Sequence, residues 1–197
     1  ILSSVAPMGV DTYLPSIPEI AKYFDVNIHK VELSLSIFLI GFAIGQIFGG
    51  PISDRYGRRV GSIVGLLGYA LFSFLIIFSS SIYELWIYRF LEAFFFFFTV
   101  VNATAAVRDR FSGQEVAKVF SLIGMVRSLA PLLAPVFGAA IIHFFPWEGI
   151  FVFFTIYALI VAFFIYKDLP ESFTYTKQNI IESYKLVLTH KKAMKAM

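Results

Sequence analysis

Cysteine is absent from this sequence, which excludes disulfides, thiolate metal sites and covalent haem attachment. Charge is scarce: 15% of the 197 residues are Asp, Glu, Lys or Arg, against 58% hydrophobic, whereas a soluble domain carries about 25% charged residues. Histidine is nearly missing. His29, His143 and His190 stand far apart near the ends of apolar runs, so neither a metal site nor a cofactor is expected. No basic segment precedes the first apolar run, which itself holds Asp11, so no cleavable signal peptide is read. The net charge of +3 implies no affinity for nucleic acid, because the basic residues sit in the short segments between apolar runs.

What the sequence does have is hydrocarbon. Mean hydropathy is +0.79, and runs of 18 or more mainly apolar residues recur along the chain, each long enough to cross a bilayer as a helix. The expected fold class is an all-α membrane protein with the lipid bilayer as its solvent. Spans are predicted at about 1–18, 31–52, 60–79, 82–107, 116–144 and 147–167. The chain opens inside an apolar run and stops in a basic amphipathic stretch, and is read as a fragment. Residues 1–167 are expected to form a six-helix transmembrane bundle with its first helix truncated. Residues 168–197 are expected to form a cytoplasmic segment, in which Ile180, Ile181, Tyr184, Val187 and Leu188 recur at helical spacing among lysines.

Lys and Arg set the orientation. Arg55, Arg58, Arg59, Arg108, Arg110 and Lys118, with Lys167, Lys177, Lys185, Lys191, Lys192 and Lys195 of the tail, fall on one side of the spans. Only Lys22 and Lys30 fall on the other. The basic side is expected to be cytoplasmic, as are both ends of the fragment. The densest charge lies in GGPISDRYGRR, residues 49–59. Arginines alone would fix topology, and that bland reading stays open. The placing of Asp54 among three arginines, with Gly57 for a tight turn and Gly49 and Gly50 for close helix approach, points to a further role.

Residues 50–59, GPISDRYGRR, resemble the signature between helices two and three of the major facilitator superfamily. Together with DTYLPSIPEI (11–20), GFAIGQIFGGPISDRYGRR (41–59), VRDRFSG (107–113) and LAPLLAPVFGA (129–139), they resemble the bicyclomycin-resistance (Bcr/CflA) branch of drug:proton antiporters. The resemblance implies the N-terminal six-helix half of a twelve-helix carrier, with the C-terminal half as its missing partner and protons and a small-molecule drug as its cargo. It implies a cytoplasmic gate at Gly50, Asp54, Arg55, Gly57, Arg58 and Arg59, and a helix-five antiporter motif at Pro131, Pro135 and Gly138. Two departures stand out. Branch members usually have Gln shortly after the helix-four arginine, where this chain has Leu91-Glu92-Ala93 and five phenylalanines (94–98); and the usual Gly pair of helix five is Gly138-Ala139. Five consecutive aromatics go right round a helix, so most of them are expected to pack.

Four ionisable residues lie inside the expected spans: Asp11, Arg89, Glu92 and Arg127. Such residues are costly in a bilayer and usually functional. At 1.5 Å per residue, Asp11 and Arg89 lie about 10 Å below the outer surface and Glu92 and Arg127 about 15 Å deep. Depth therefore pairs Asp11 with Arg89 and Glu92 with Arg127, and the competing arrangement is an intrahelical Arg89–Glu92 pair at i, i+3. Asp11, Glu92 and Arg89 are the candidates for proton coupling, Asp11 first, and Tyr13 and Arg127 the candidates for the substrate cavity. The resulting expectation is a secondary transporter, and not an enzyme: it exports small amphipathic drugs across a bacterial inner membrane against a proton flux. A metabolite uptake carrier and a non-transporting membrane fragment are the alternatives.

Overall fold

The computed structural model describes residues 9–110 and 113–168, with side chains throughout except at 49–56, 98, 102–106, 108–110 and 168. The expected cytoplasmic segment and the start of the first span lie outside the described residues. A helical turn at residues 9–11 leads through a 3-10 turn, Leu14–Ser16, into α1 (Ile17–Tyr23). Next in order are α2 (Ile28–Tyr56), α3 (Arg58–Ile76), α4 (Ile82–Arg110), α5 (Gln114–Phe144) and α6 (Glu148–Asp168). Among the described residues, stretches of α2, α3, α5 and α6 are each long and apolar enough to cross a membrane.

The first span differs from the expectation. It continues past residue 18 to Tyr23 and is broken on the way. Pro15 and Pro18 lack the N–H that would close the ladder, so the chain tightens: Ser16 N–H bonds the Tyr13 carbonyl at 3.0 Å, and Ser16 Oγ donates to the same carbonyl at 2.6 Å. The loop expected at 52–60 is likewise shorter. Helix α2 runs on to Tyr56, and a single residue, Gly57, separates it from α3. Its φ of 90° and ψ of 152° belong to a region that residues with a Cβ avoid.

Helix α4 is the centre of the bundle, shared between α2 on one side and α3 on the other, with α6 behind α3. Glycine brings these helices together. A Cβ at Gly41 would run into the Phe90 carbonyl, and one at Gly45 would lie 2.7 Å from the Phe94 carbonyl, so α2 meets α4 backbone to backbone through a Gly-x-x-x-Gly face. Gly68 of α3 receives the ring of Phe95. The phenylalanine run is thereby accounted for along most of its length. Phe96 and Phe97 are buried, Phe42 meets Phe97 edge-on at 4.9 Å, and Phe72 stacks on Phe95 at 5.5 Å. The core continues through Tyr13, Leu66, Tyr69, Trp147, Phe151 and Phe154.

Helix α5 packs chiefly on the broken part of the first span. Ala130, Ala134 and Gly138 form its buried stripe, and a Cβ at Gly138 would strike the Thr12 carbonyl. Pro131 and Pro135 lie inside the helix on this stretch. At Gly124, two turns before Pro131, nothing stands within 4 Å of an added Cβ. Gly138→Ala is therefore expected to destabilise the bundle by about 1–3 kcal/mol through overpacking, lowering its melting temperature by roughly 2–4 °C per kcal/mol. Gly124→Ala on the same helix should leave the melt in detergent unchanged or slightly raised.

Candidate functional site

The polar interior of the bundle is built around one turn of α4. Arg89 and Glu92 stand three residues apart on its buried face, and both are fully inaccessible. Arg89 Nη1 donates to Glu92 Oε2 at 2.7 Å. Ser73 of α3 donates its hydroxyl to the other carboxylate oxygen, Oε1, at 2.6 Å. The second arm of the guanidinium, Nη2, donates to the Gly9 carbonyl of the first span at 3.2 Å. Aromatic rings close the remaining sides: the guanidinium carbon lies 4.5 Å from the centre of Tyr13, 4.4 Å from Phe38 and 5.8 Å from Phe151. Tyr13 is held in turn by a 2.9 Å hydrogen bond between its hydroxyl and that of Ser34 on α2.

Burying a charge costs several kcal/mol unless it is paired and hydrogen-bonded. This cluster meets that condition at the carboxylate, whose two oxygens each accept a hydrogen bond, and at both guanidinium arms, while Arg89 Nε has no hydrogen-bond partner among the described residues. It also ties the first span, α2, α3 and α4 together at one depth.

The arrangement corrects the depth-matched pairing. Arg89 pairs with Glu92 along its own helix, as in the competing arrangement, and with neither Asp11 nor any other acid among the described residues. The reason is geometric. Residues at i, i+3 meet without any help from tertiary packing, and Ser73 then satisfies the carboxylate from across the interface. Asp11 is half-buried, and among the described residues no cation pairs with it. Arg127, expected beside Glu92, is exposed on α5. Tyr13, expected to line the cavity, is buried against Arg89. Ser73, Ser34, Phe38 and the Gly9 carbonyl were not legible as site groups. A serine in a membrane helix ordinarily bonds its own backbone, as Ser34 also does to Val31 at 2.6 Å, so its presence signals little.

At the far end of the bundle, Arg59 donates from Nη2 to the Tyr166 carbonyl, and its guanidinium lies 4.8 Å over the Tyr166 ring. The start of α3 is thus clasped to the end of α6. Gly57 makes the turn, Arg58 and Arg59 open α3, and Gly50, Asp54 and Arg55 belong to the last turns of α2; the side chains of Asp54 and Arg55 lie outside those described. Among the described residues no group of three or more metal-binding side chains occurs.

The sequence profile of the Major Facilitator Superfamily matches residues 1–193. The chain is 39% identical over 181 residues to the bicyclomycin resistance protein homolog of Haemophilus influenzae, covering 92% of this chain and 45% of that protein. It is 33% identical over 190 residues to the multidrug transporter MdfA of Edwardsiella piscicida, covering 94% and 46%. The chain thus spans about half the length of the curated relatives it matches. Among solved structures, a peptide transporter superposes with a TM-score of 0.75 at 14% identity, over 99% of this chain and 43% of that one. A D-xylose-proton symporter superposes at 0.72 and 18% identity, over 98% and 53%. These two likenesses concern the fold alone: a six-helix membrane bundle that makes up half of a twelve-helix carrier.

The ion pair has a measurable consequence for folding. Glu92→Leu leaves Arg89 buried and unanswered, at a cost of about 3–5 kcal/mol, and is expected to lower the melting temperature of the purified protein sharply. Glu92→Gln keeps an acceptor oxygen and should cost less. The double variant Arg89→Leu/Glu92→Leu should recover much of the loss, and a double variant no better than Glu92→Leu alone would deny the pairing.

Proposed function

We propose, from the premise that this chain belongs to the Major Facilitator Superfamily, that it is half of a proton-coupled exporter of small amphipathic drugs in a bacterial inner membrane. The names of the relatives support the cargo and the direction: one is a bicyclomycin resistance protein homolog and others are multidrug transporters. The twelve basic residues gathered at one side of the spans support a cytoplasmic location for that side.

One observation carries the coupling. Of the two acids inside the helical core of the site, Glu92 is enclosed and committed to Arg89 and Ser73, whereas Asp11 is partly accessible and has no cation beside it among the described residues. A group that exchanges protons with water must be reachable, and Asp11 is the reachable one. It is also next to Thr12, whose backbone meets Gly138 of α5, so a change at Asp11 is adjacent to a contact between two spans. A proton entering down 100 mV releases about 2.3 kcal/mol, which exclusive binding of proton and drug would convert into efflux.

The gate proposed at Asp54, Arg55 and Arg58 sits where α2 turns into α3. Arg59 is engaged by Tyr166 within the half, so opening of the gate leaves the α3–α6 clasp in place. Partly solvated ion pairs worth about 0–1 kcal/mol each suit contacts that must break and reform.

In the full-length carrier reconstituted in vesicles, drug efflux driven by an imposed proton gradient tests the reading. Asp11→Asn should abolish gradient-driven efflux while sparing drug exchange, and Glu92→Gln should not abolish coupling. Residues 1–197 alone should move nothing, because half of the cavity wall is missing. Accumulation of the drug instead of extrusion would replace the exporter by an uptake carrier. Asp54→Asn should slow transport with insertion and amount in the membrane unchanged; a normal rate would return the 50–59 motif to a topology signal.

A further inference from the structure

Arg127 is the in-span charge that the site above leaves over. It is the fourteenth residue of α5 (Gln114–Phe144), which places it about 20 Å from one end of the helix and about 25 Å from the other. It is well inside the bilayer for any ordinary position of the span. Its side chain is exposed, and among the described residues no acid pairs with it.

An exposed arginine at this depth faces either lipid or a polar cleft, and the helix geometry decides which. At 100° per residue, Arg127 lies within about 60° of Ala130, 20° of Ala134 and 20° of Gly138 around the helix. Those three are the buried stripe by which α5 packs on the bundle. Arg127 therefore projects from the bundle-facing side of α5 and not from its lipid side, and it is exposed because the packing stops short of it. Gly124, one turn earlier on the same side, has nothing within 4 Å of an added Cβ, so the space beside Arg127 is open. Pro131 explains the change from packed to open. It lacks the N–H that would bond the Arg127 carbonyl and crowds it sterically, which weakens the helix ladder at this level. Ser128 Oγ donates back to the Gly124 carbonyl at 3.0 Å, a contact that also favours bending.

An exposed guanidinium on the bundle side of α5, at mid-bilayer depth and with open space one turn away, is costly without an anion and binds carboxylate in a two-pronged fashion. Arg89 cannot serve in this capacity, since it is enclosed and already answered by Glu92. Asp11 does not compete for Arg127. It adjoins Thr12, which meets Gly138, and Gly138 is eleven residues or about 16 Å further along α5. We infer that Arg127 is a specificity-determining residue that receives a carboxylate, so that the cargo favoured by this carrier is an amphipathic molecule with a free anionic group. The inference rests on the transporter reading for the cavity, but not on the direction of transport or on proton coupling.

Equilibrium binding to the purified full-length carrier tests it without requiring transport. The probes are a xanthene dye with a free carboxylate and the methyl ester of the same dye, read by fluorescence polarisation. The wild type should bind the free acid more tightly than the ester. Arg127→Gln should weaken the free acid about tenfold and leave the ester unchanged, and the unchanged ester reports an intact fold. Arg127→Lys, which keeps the charge but loses the fork, should fall between. Should the Gln variant not fold, the Lys variant alone must still weaken the acid and spare the ester. The inference is overturned by equal binding of the two dyes to the wild type or no binding of either. Parallel loss of both in Arg127→Gln also overturns it, and would assign the arginine to an acid of the other half. Gradient-driven efflux of the ester by a carrier failing these tests would leave the proposed function standing.

Discussion

A guanidinium shut away from water has to find its counter-charge on the spot, and the way Arg89 does so organises the middle of the bundle. Its charge is cancelled by Glu92 one turn away, and its second arm takes a backbone carbonyl of the first span. Because the ring of Tyr13 covers it and Tyr13 is itself tied to Ser34, the polar cluster reaches four helices without opening a path to lipid. In hydrocarbon there is no hydrophobic drive to push helices together. The work falls to close packing at glycine and to a charge-neutral polar core, and both meet at α4: Gly41, Gly45 and Gly68 against its outer surfaces, and the ion pair within.

The two acids stand in different surroundings. A carboxylate that is enclosed, paired and hydrogen-bonded is suited to hold structure, whereas one that is accessible and unpaired is suited to exchange a proton. Glu92, in the helix-four sequence LEA, supplies the internal counter-charge. Arg89 is thereby neutralised without Asp11. A neutral Gln at that place would leave the arginine seeking an anion elsewhere.

Much of this was legible in the sequence. The positions of the helices from α3 onward, and the burial of charge at Arg89 and Glu92, follow from hydropathy and from the expense of charge in a bilayer. The packing role of most of the phenylalanine run followed from the fact that consecutive residues encircle a helix. Depth alone misled on the pairing, because distance along the membrane normal does not say which faces of two helices meet. The partner of Glu92 on α3 was also illegible: Ser73 looks like any serine in a membrane helix until α3 and α4 are brought together. The first span runs on to Tyr23 because a 3-10 turn at Leu14–Ser16 lets the chain pass through Pro15 and Pro18.

The joint at Gly57 is one residue long and held at a positive φ. Two helices of 29 and 19 residues therefore meet with no slack between them, and their relative phase is set by the backbone angles of a single glycine. Each residue added to a helix turns the rest of that helix by 100° and lifts it by 1.5 Å. An insertion here would therefore have to be absorbed by unwinding the end of α2 or the start of α3, where Arg58 and Arg59 are placed. The length of this joint, independently of its charge, thus fixes how far around α3 the two arginines stand relative to α2.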